Sequence, residues 1–169
     1  MTMKKIIFVV SFVLVCSLSS AQEGSQLDKM INESLFSYLN NWADSYSRVC
    51  RDCKEYDIYI CLDGYPRNFV FSEEIRNMKN LKGMRSVKFV SFMNLSGQKE
   101  LKRGKWYGVV FPGISLEKNR LIISVTKGSI SVTGNNQLKK SFYDWGNYTY
   151  EYFPDKQEWI LVKTEYDGL

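Results

Sequence analysis

Histidine is missing from all 169 residues, and this absence removes more chemistry than any other feature of the chain. Without an imidazole there is no Ser-His-Asp or Cys-His catalytic unit, no histidine general base and no His-ligated zinc. No glycine-rich phosphate loop stands between a strand and a helix, so nucleotide hydrolysis and dinucleotide binding lack their usual cradle. No cofactor or metal is therefore expected. Only three prolines are present against 15% aromatic residues, a balance that suits a sheet-rich globular chain rather than a disordered one. Past residue 21 no hydrophobic run approaches the ~20 residues a bilayer span takes. The formal charge of +5 is small and scattered, which gives no basis for nucleic-acid binding.

What is present begins with an address. Lys4 and Lys5 form a basic start, Ile6 to Val15 is apolar but too short to span a membrane, and Ser19-Ser20-Ala21 offers the small residues a signal peptidase reads. The expected cut lies between Ala21 and Gln22, making residues 1–21 a signal peptide and residues 22–169 a single α+β domain, periplasmic or secreted. Loss of Lys4 and Lys5 lowers the formal charge to +3. A lipid anchor at Cys16 is the rival reading, which would make the protein an outer-membrane lipoprotein. Val15, bulky and β-branched just before Cys16, argues against it.

Ser25 with Asp28 three residues on starts a helix. Leu27, Met30, Ile31, Leu35, Tyr38, Leu39, Trp42, Tyr46 and Val49 follow at spacings of three and four and draw one apolar stripe. This is the pattern of a helix laid over a sheet. Strands are expected at Tyr56–Leu62, with Ile58, Ile60 and Leu62 on one side, at Arg85–Met93, and at Trp106–Phe111 ending in Pro112-Gly113. Ser72–Met78 reads as a turn or two of helix. Residues 94–105, with Lys99, Lys102, Arg103 and Lys105, read as a solvated loop or short ribbon.

The last fifty residues alternate with period two: Arg120–Thr126, Gly128–Gly134, then an aromatic hairpin of Asn147–Phe153 and Glu158–Tyr166 joined by Pro154-Asp155-Lys156-Gln157. An even loop pairs Tyr152 with Trp159, Tyr150 with Leu161 and Tyr148 with Lys163, all on one face. Phe153, Glu151, Ile160, Thr149, Val162 and Tyr166 take the other. Such aromatic cross-strand pairs contribute roughly 0.2–1 kcal/mol each and help fix the register. Trp106, Trp145, Tyr148, Tyr150, Tyr152 and Trp159 are the candidate ligand-binding residues, since rings on a concave sheet hold sugars, peptides and small apolar ligands. The same rings also serve simply as core and rim.

Cys50-Arg-Asp-Cys53 follows a helix and precedes a strand, the reverse of a catalytic redox motif, so an exported protein would use it as a structural disulfide. Cys61 is then a buried free thiol, with Cys53–Cys61 pairing the alternative. Zinc on Cys50, Cys53 and Cys61 would need a fourth ligand such as Asp52. Among the carboxylates, Asp63, Asp144, Glu151 and Glu165 show no spacing that selects an acid–base pair. Asp63 and Asp144 stand beside turn residues, where aspartate ordinarily bonds its own backbone.

Taken with the Ala21-Gln22 cut, the stretches Leu62-Asp-Gly-Tyr-Pro66 and Tyr143-Asp-Trp-Gly146 and the ending Trp159 to Gly168 make the chain resemble small exported proteins of Bacteroidetes. The order of elements is similar to NTF2-like and cystatin-like architectures. That resemblance implies a helix followed by a curved antiparallel sheet, and carries over no catalytic residue, because the His/Asp pair of NTF2-like enzymes has no counterpart. The expected fold is α+β: one long N-terminal helix packed on a twisted, mostly antiparallel sheet of about five to seven strands. The expected role is a non-enzymatic binding module for an unknown small molecule or protein partner. A carboxylate-and-tyrosine enzyme with a sheet-lined pocket, or a periplasmic immunity-type protein that blocks a toxin, are the alternatives.

Overall fold

A computed structural model describes residues 26–46, 48, 55–66, 69–81, 83–93, 101–133 and 137–167. The proposed signal peptide, Cys16, Cys50, Cys53 and the capping Ser25 lie outside the described residues. One long helix, α1 (26–46), lies across a seven-stranded sheet in the order β2-β3-β1-β4-β5-β6-β7. The strands are β1 (Tyr56–Cys61), β2 (Lys79–Leu81), β3 (Met84–Val90), β4 (Trp106–Glu117), β5 (Arg120–Val132), β6 (Leu138–Phe153) and β7 (Glu158–Asp167). A short helix, α2 (Glu73–Arg76), is capped by Ser72, whose hydroxyl accepts from the Ile75 amide. No helix among the described residues is long and apolar enough to cross a membrane.

The helical stripe is buried as its spacing requires. Met30, Ile31, Leu35, Tyr38, Leu39, Trp42 and Ala43 pack on Ile58, Ile60, Val110, Ile123, Val125, Tyr148 and Tyr150. At roughly 1.5–3 kcal/mol for each large apolar side chain taken fully from water, this seam outweighs any capping or surface pair in the molecule. A second, smaller cluster of Tyr59, Cys61, Val90, Leu101, Val109, Ile130 and Val132 covers the opposite face.

The sheet is mixed, which corrects the expectation of a mostly antiparallel one. β1 sits near the middle and runs parallel to both neighbours, β3 and β4. The stretches between these strands, residues 62–83 and 91–105, are long enough to carry the chain back to the same end, as parallel pairing demands. With both faces covered, β1 is apolar on both sides, so its sequence does not alternate cleanly. Leu62 is not part of it: the chain turns there into a 3-10 turn, Leu62–Gly64, and Leu62 is exposed.

Two other expectations change for local reasons. β4 does not stop at Pro112-Gly113 but continues to Glu117, with Pro112 paired to Val125. β1 pairs with β4 only from Gly108 to Val110, so beyond that point β4 is an edge on its other side and the missing proline N–H interrupts no ladder. The two alternating segments after Asn119 form a single strand, β5, whose whole length pairs with β4 and β6.

The terminal hairpin pairs Tyr152 with Trp159 and Tyr150 with Leu161 as its loop requires. The register then shifts: Val162 is an extra residue, and Tyr148 faces Thr164 instead of Lys163. A bulge reverses the facing of everything beyond it. Tyr166 therefore joins Tyr148 on the helix-covered face, with the two hydroxyls 3.1 Å apart and the Tyr166 hydroxyl 3.1 Å from Ser37 Oγ.

Candidate functional site

A cleft of about 410 Å³ opens where β1 begins. The β1–β4 ladder starts at Ile58–Gly108, so Tyr56 and Asp57 stand beside Trp106 and Tyr107 ahead of the paired region. Rings of Tyr56, Tyr59, Trp106, Tyr107 and Tyr143 form much of the wall, and Arg85 and Asp57 supply its charge. Gly108 is required by this wall, because a Cβ there would lie 3.1 Å from the Tyr56 ring. Trp106 is 57% exposed, an indole held open to solvent.

A second bulge puts Tyr143 in place. Lys127 pairs with Asp144 and Gly128 with Phe142, leaving Tyr143 as the extra residue on β6. The two backbones come so close at this point that a Cβ on Gly128 would collide with the Ser141 carbonyl oxygen. Bulges often re-aim a side chain beside a binding site. Here the Tyr143 hydroxyl accepts from Ser129 Oγ at 3.4 Å, and both residues line the cleft.

Asp57 is saturated. Oδ1 accepts from Arg85 Nε and Ser86 Oγ, each at 2.8 Å, while Oδ2 accepts from Arg85 Nη2 at 2.8 Å and pairs with Lys88 Nζ at 3.1 Å. The Arg85 hydrogen bonds, with those of Ser86 and Lys88, hold this carboxyl well below the usual carboxylate range against the cost of its burial.

Behind the wall lies Lys127, only 1% exposed. Its ammonium is 3.6 Å from the Trp42 ring centroid, donates to the Tyr56 hydroxyl at 3.0 Å and lies 5.4 Å from the Tyr143 ring. It makes no salt bridge among the described residues. Burial pulls its pKa down to about 7, with the Asp144 charge opposing the shift. A desolvated cation over an indole face gains on the order of 2 kcal/mol, less than the solvation it has given up.

Asp144 is 4% exposed. Among the described residues its Oδ2 and the Tyr38 hydroxyl meet no partner at hydrogen-bond geometry, and the two groups lie near enough to act on each other electrostatically. Burial raises the Asp144 carboxyl, and burial followed by the Asp144 charge pushes the Tyr38 phenol far up. This corrects the reading of Asp144 as a turn residue: it lies within β6, turned under the helix. Asp63 does occupy a turn but ties down the end of β3, accepting from Ser91 Oγ at 2.5 Å and from the Phe92 and Met93 amides at 2.7 and 3.2 Å.

The six aromatic candidates do not share one pocket. Trp106 lines the cleft. Tyr148 and Tyr150 are core, the Tyr150 hydroxyl bonded to Ser34 and to the Met30 carbonyl. Tyr152 and Trp159 pack at a tilt, centroids 5.5 Å apart, at the far end of the sheet, where Trp159 and Tyr150 border a smaller groove of about 250 Å³ beside α1. Trp145 lies between Asp144 and Gly146 on the strand face turned away from the helix.

Cys61 is a buried free thiol, while Cys50 and Cys53 lie outside the described residues. Burial pushes the Cys61 thiol up. Among the described residues there is no group of three His, Cys, Asp or Glu that could hold a metal.

Tyr56, Arg85 and Lys127 were not among the candidates read from sequence. A signal existed for Lys127: it falls in phase with Ile123 and Val125, the buried face of an alternating strand. Comparison with protein-family models, with curated proteins and with solved structures finds no match to this chain, so its reading rests on the geometry of this cleft.

Proposed function

We propose that this chain is an exported, non-enzymatic binding module that holds a small ring-bearing ligand in the cleft at the start of β1. The observation that carries this reading is the wall of five aromatic rings around about 410 Å³, with Trp106 exposed at its edge. Exposed rings at a concave site give up little conformational freedom on binding and offer both stacking surface and polar tips. The basic start and small-residue cut at residues 1–21 support export. A carboxylate-and-tyrosine enzyme would need a carboxylate able to exchange a proton in the cleft. Asp57 is held ionised by four donors, which favours binding over catalysis.

Saturation-transfer NMR against a panel of small sugars, aromatic acids and aromatic amides tests the reading. Ligands that receive saturation from the wild-type protein should lose it with Trp106→Ala or Tyr143→Ala while the far-UV spectrum is unchanged. Signals that survive both substitutions but vanish with Trp159→Ala would place the ligand in the groove beside α1 and overturn the assignment.

A further inference from the structure

Hydrogen-bond polarity restricts what such a ligand can be. Asp57 is the one carboxylate among the described residues lining the cleft. A carboxylate offers about four lone-pair sites, and four donors already occupy Asp57: two from Arg85, one from Ser86 and one from Lys88. It has nothing left with which to accept from a ligand hydroxyl.

The donors are in the opposite condition. With Lys127 donating, the Tyr56 hydroxyl is the acceptor in their bond and keeps its own proton to give. The Tyr143 hydroxyl likewise accepts from Ser129. Arg85 uses Nε and Nη2 on Asp57, so Nη1 is not spent on that carboxylate, and the residue lines the cleft with these rings. A neutral sugar needs acceptors as much as donors and finds a one-sided wall. A ligand that brings its own acceptors does not.

Resting on the cleft being the ligand site, we infer that the ligand is a small ring-bearing carboxylate, its ring against Trp106 and its acid group taken by Arg85 and the phenol protons of Tyr56 and Tyr143. Asp144 on β6 and Asp167 on β7 do not oppose it at the wall: Asp144 is buried under the helix, and neither lines the cleft. Trp42, Tyr38 and Tyr46 of α1 face the Lys127 side with rings and bring no carboxylate.

The test is calorimetric titration of the full exported chain with benzoate and with galacturonate, each against its neutral counterpart, benzamide or galactose. At least one acid should bind about tenfold or more tightly than its neutral counterpart, as charge-assisted hydrogen bonds allow. That preference should shrink when salt is raised from about 20 mM to about 500 mM. Arg85→Gln and Tyr56→Phe should each reduce acid binding about tenfold and neutral binding by less, so that the preference for the acid shrinks. Tyr143→Phe, at an exposed ring, gives the same reading if Tyr56→Phe does not fold. Equal binding of an acid and its neutral counterpart, lost in Trp106→Ala, would overturn the acid assignment and leave the cleft standing. Absence of binding by all four probes, or binding indifferent to Trp106→Ala, would overturn both.

Discussion

Replacing Lys127 by methionine should abolish a rise in stability that the wild-type protein shows between about pH 7.5 and about pH 9.5. The folded protein holds this amine at about 7, against 10.5 for the ordinary side chain. Between those values the unfolded chain carries a proton that the folded protein has released. Stability therefore increases with pH across the interval, because unfolding takes up a proton that becomes scarcer. Integrating the linkage relation for one such group gives about 2.5 kcal/mol over those two pH units. Above about pH 10 the trend reverses: burial raises the phenols of Tyr38, Tyr56, Tyr65 and Tyr148, so the unfolded chain loses protons the folded one retains. Methionine matches the length of the lysine stem, carries no charge, and keeps a polarisable group over Trp42. Urea unfolding at a series of pH values, followed by tryptophan emission and far-UV dichroism with matched m-values, measures the difference. Lys127→Met should show no rise over the interval, only the fall that the raised Cys61 thiol imposes, and should be at least as stable as wild type at about pH 7.5. A flat wild-type profile, or an equal slope in the variant, would refute the claim that a desolvated amine lies behind the cleft.

Other expectations follow from single contacts. Deleting Val162 removes the extra residue and leaves Lys163 opposite Thr149 and Thr164 opposite Tyr148; the Tyr148–Tyr166 ring contact should persist in aromatic NOE spectra, with less than about 1 kcal/mol changed on urea unfolding, and its loss would contradict the assignment of Val162 as the bulge. Tyr166→Phe keeps that ring but takes away the hydroxyl bonded to Tyr148 and Ser37, so thermal unfolding should show a loss of about 1–2 kcal/mol. Gly128→Ala drives a Cβ into the Ser141 carbonyl and should cost about 1–3 kcal/mol while displacing Tyr143, read as altered amide shifts for Ser141–Asp144. Asp57→Asn should remove a contribution of roughly 1–2 kcal/mol. Because the folded carboxyl is lowered, that contribution is present above about pH 4 and lost as pH falls through the folded value, so wild type and variant should converge in acid unfolding.

The residues that could be read in advance were those with one-sided patterns. α1 announces itself because Met30, Ile31, Leu35, Tyr38, Leu39 and Trp42 recur on one side of a 3.6-residue turn, and all are buried. The hairpin register is readable near its loop, where the even spacing of Pro154–Gln157 places Tyr152 opposite Trp159. It becomes unreadable at Ile160-Leu161-Val162, three apolar residues in succession, since nothing local says which one is extra. The central strand was hidden for a similar reason: Ile58 and Ile60 face the helix while Tyr59 and Cys61 face the second cluster, and alternation cannot report a strand covered on both sides. Of the cleft, Trp106, Tyr107 and Tyr143 were visible as rings of the C-terminal half. Tyr56 and Arg85 reach it through a parallel pairing, which leaves no mark in composition or spacing.

Amide chemical-shift mapping with benzoate, on the isotope-labelled chain at neutral pH, tests the ligand site most directly. The account predicts that shifts concentrate at Tyr56–Tyr59, Arg85, Trp106–Gly108, Ser129 and Tyr143. Shifts gathered instead along Lys29, Glu33 and Trp159 would contradict it.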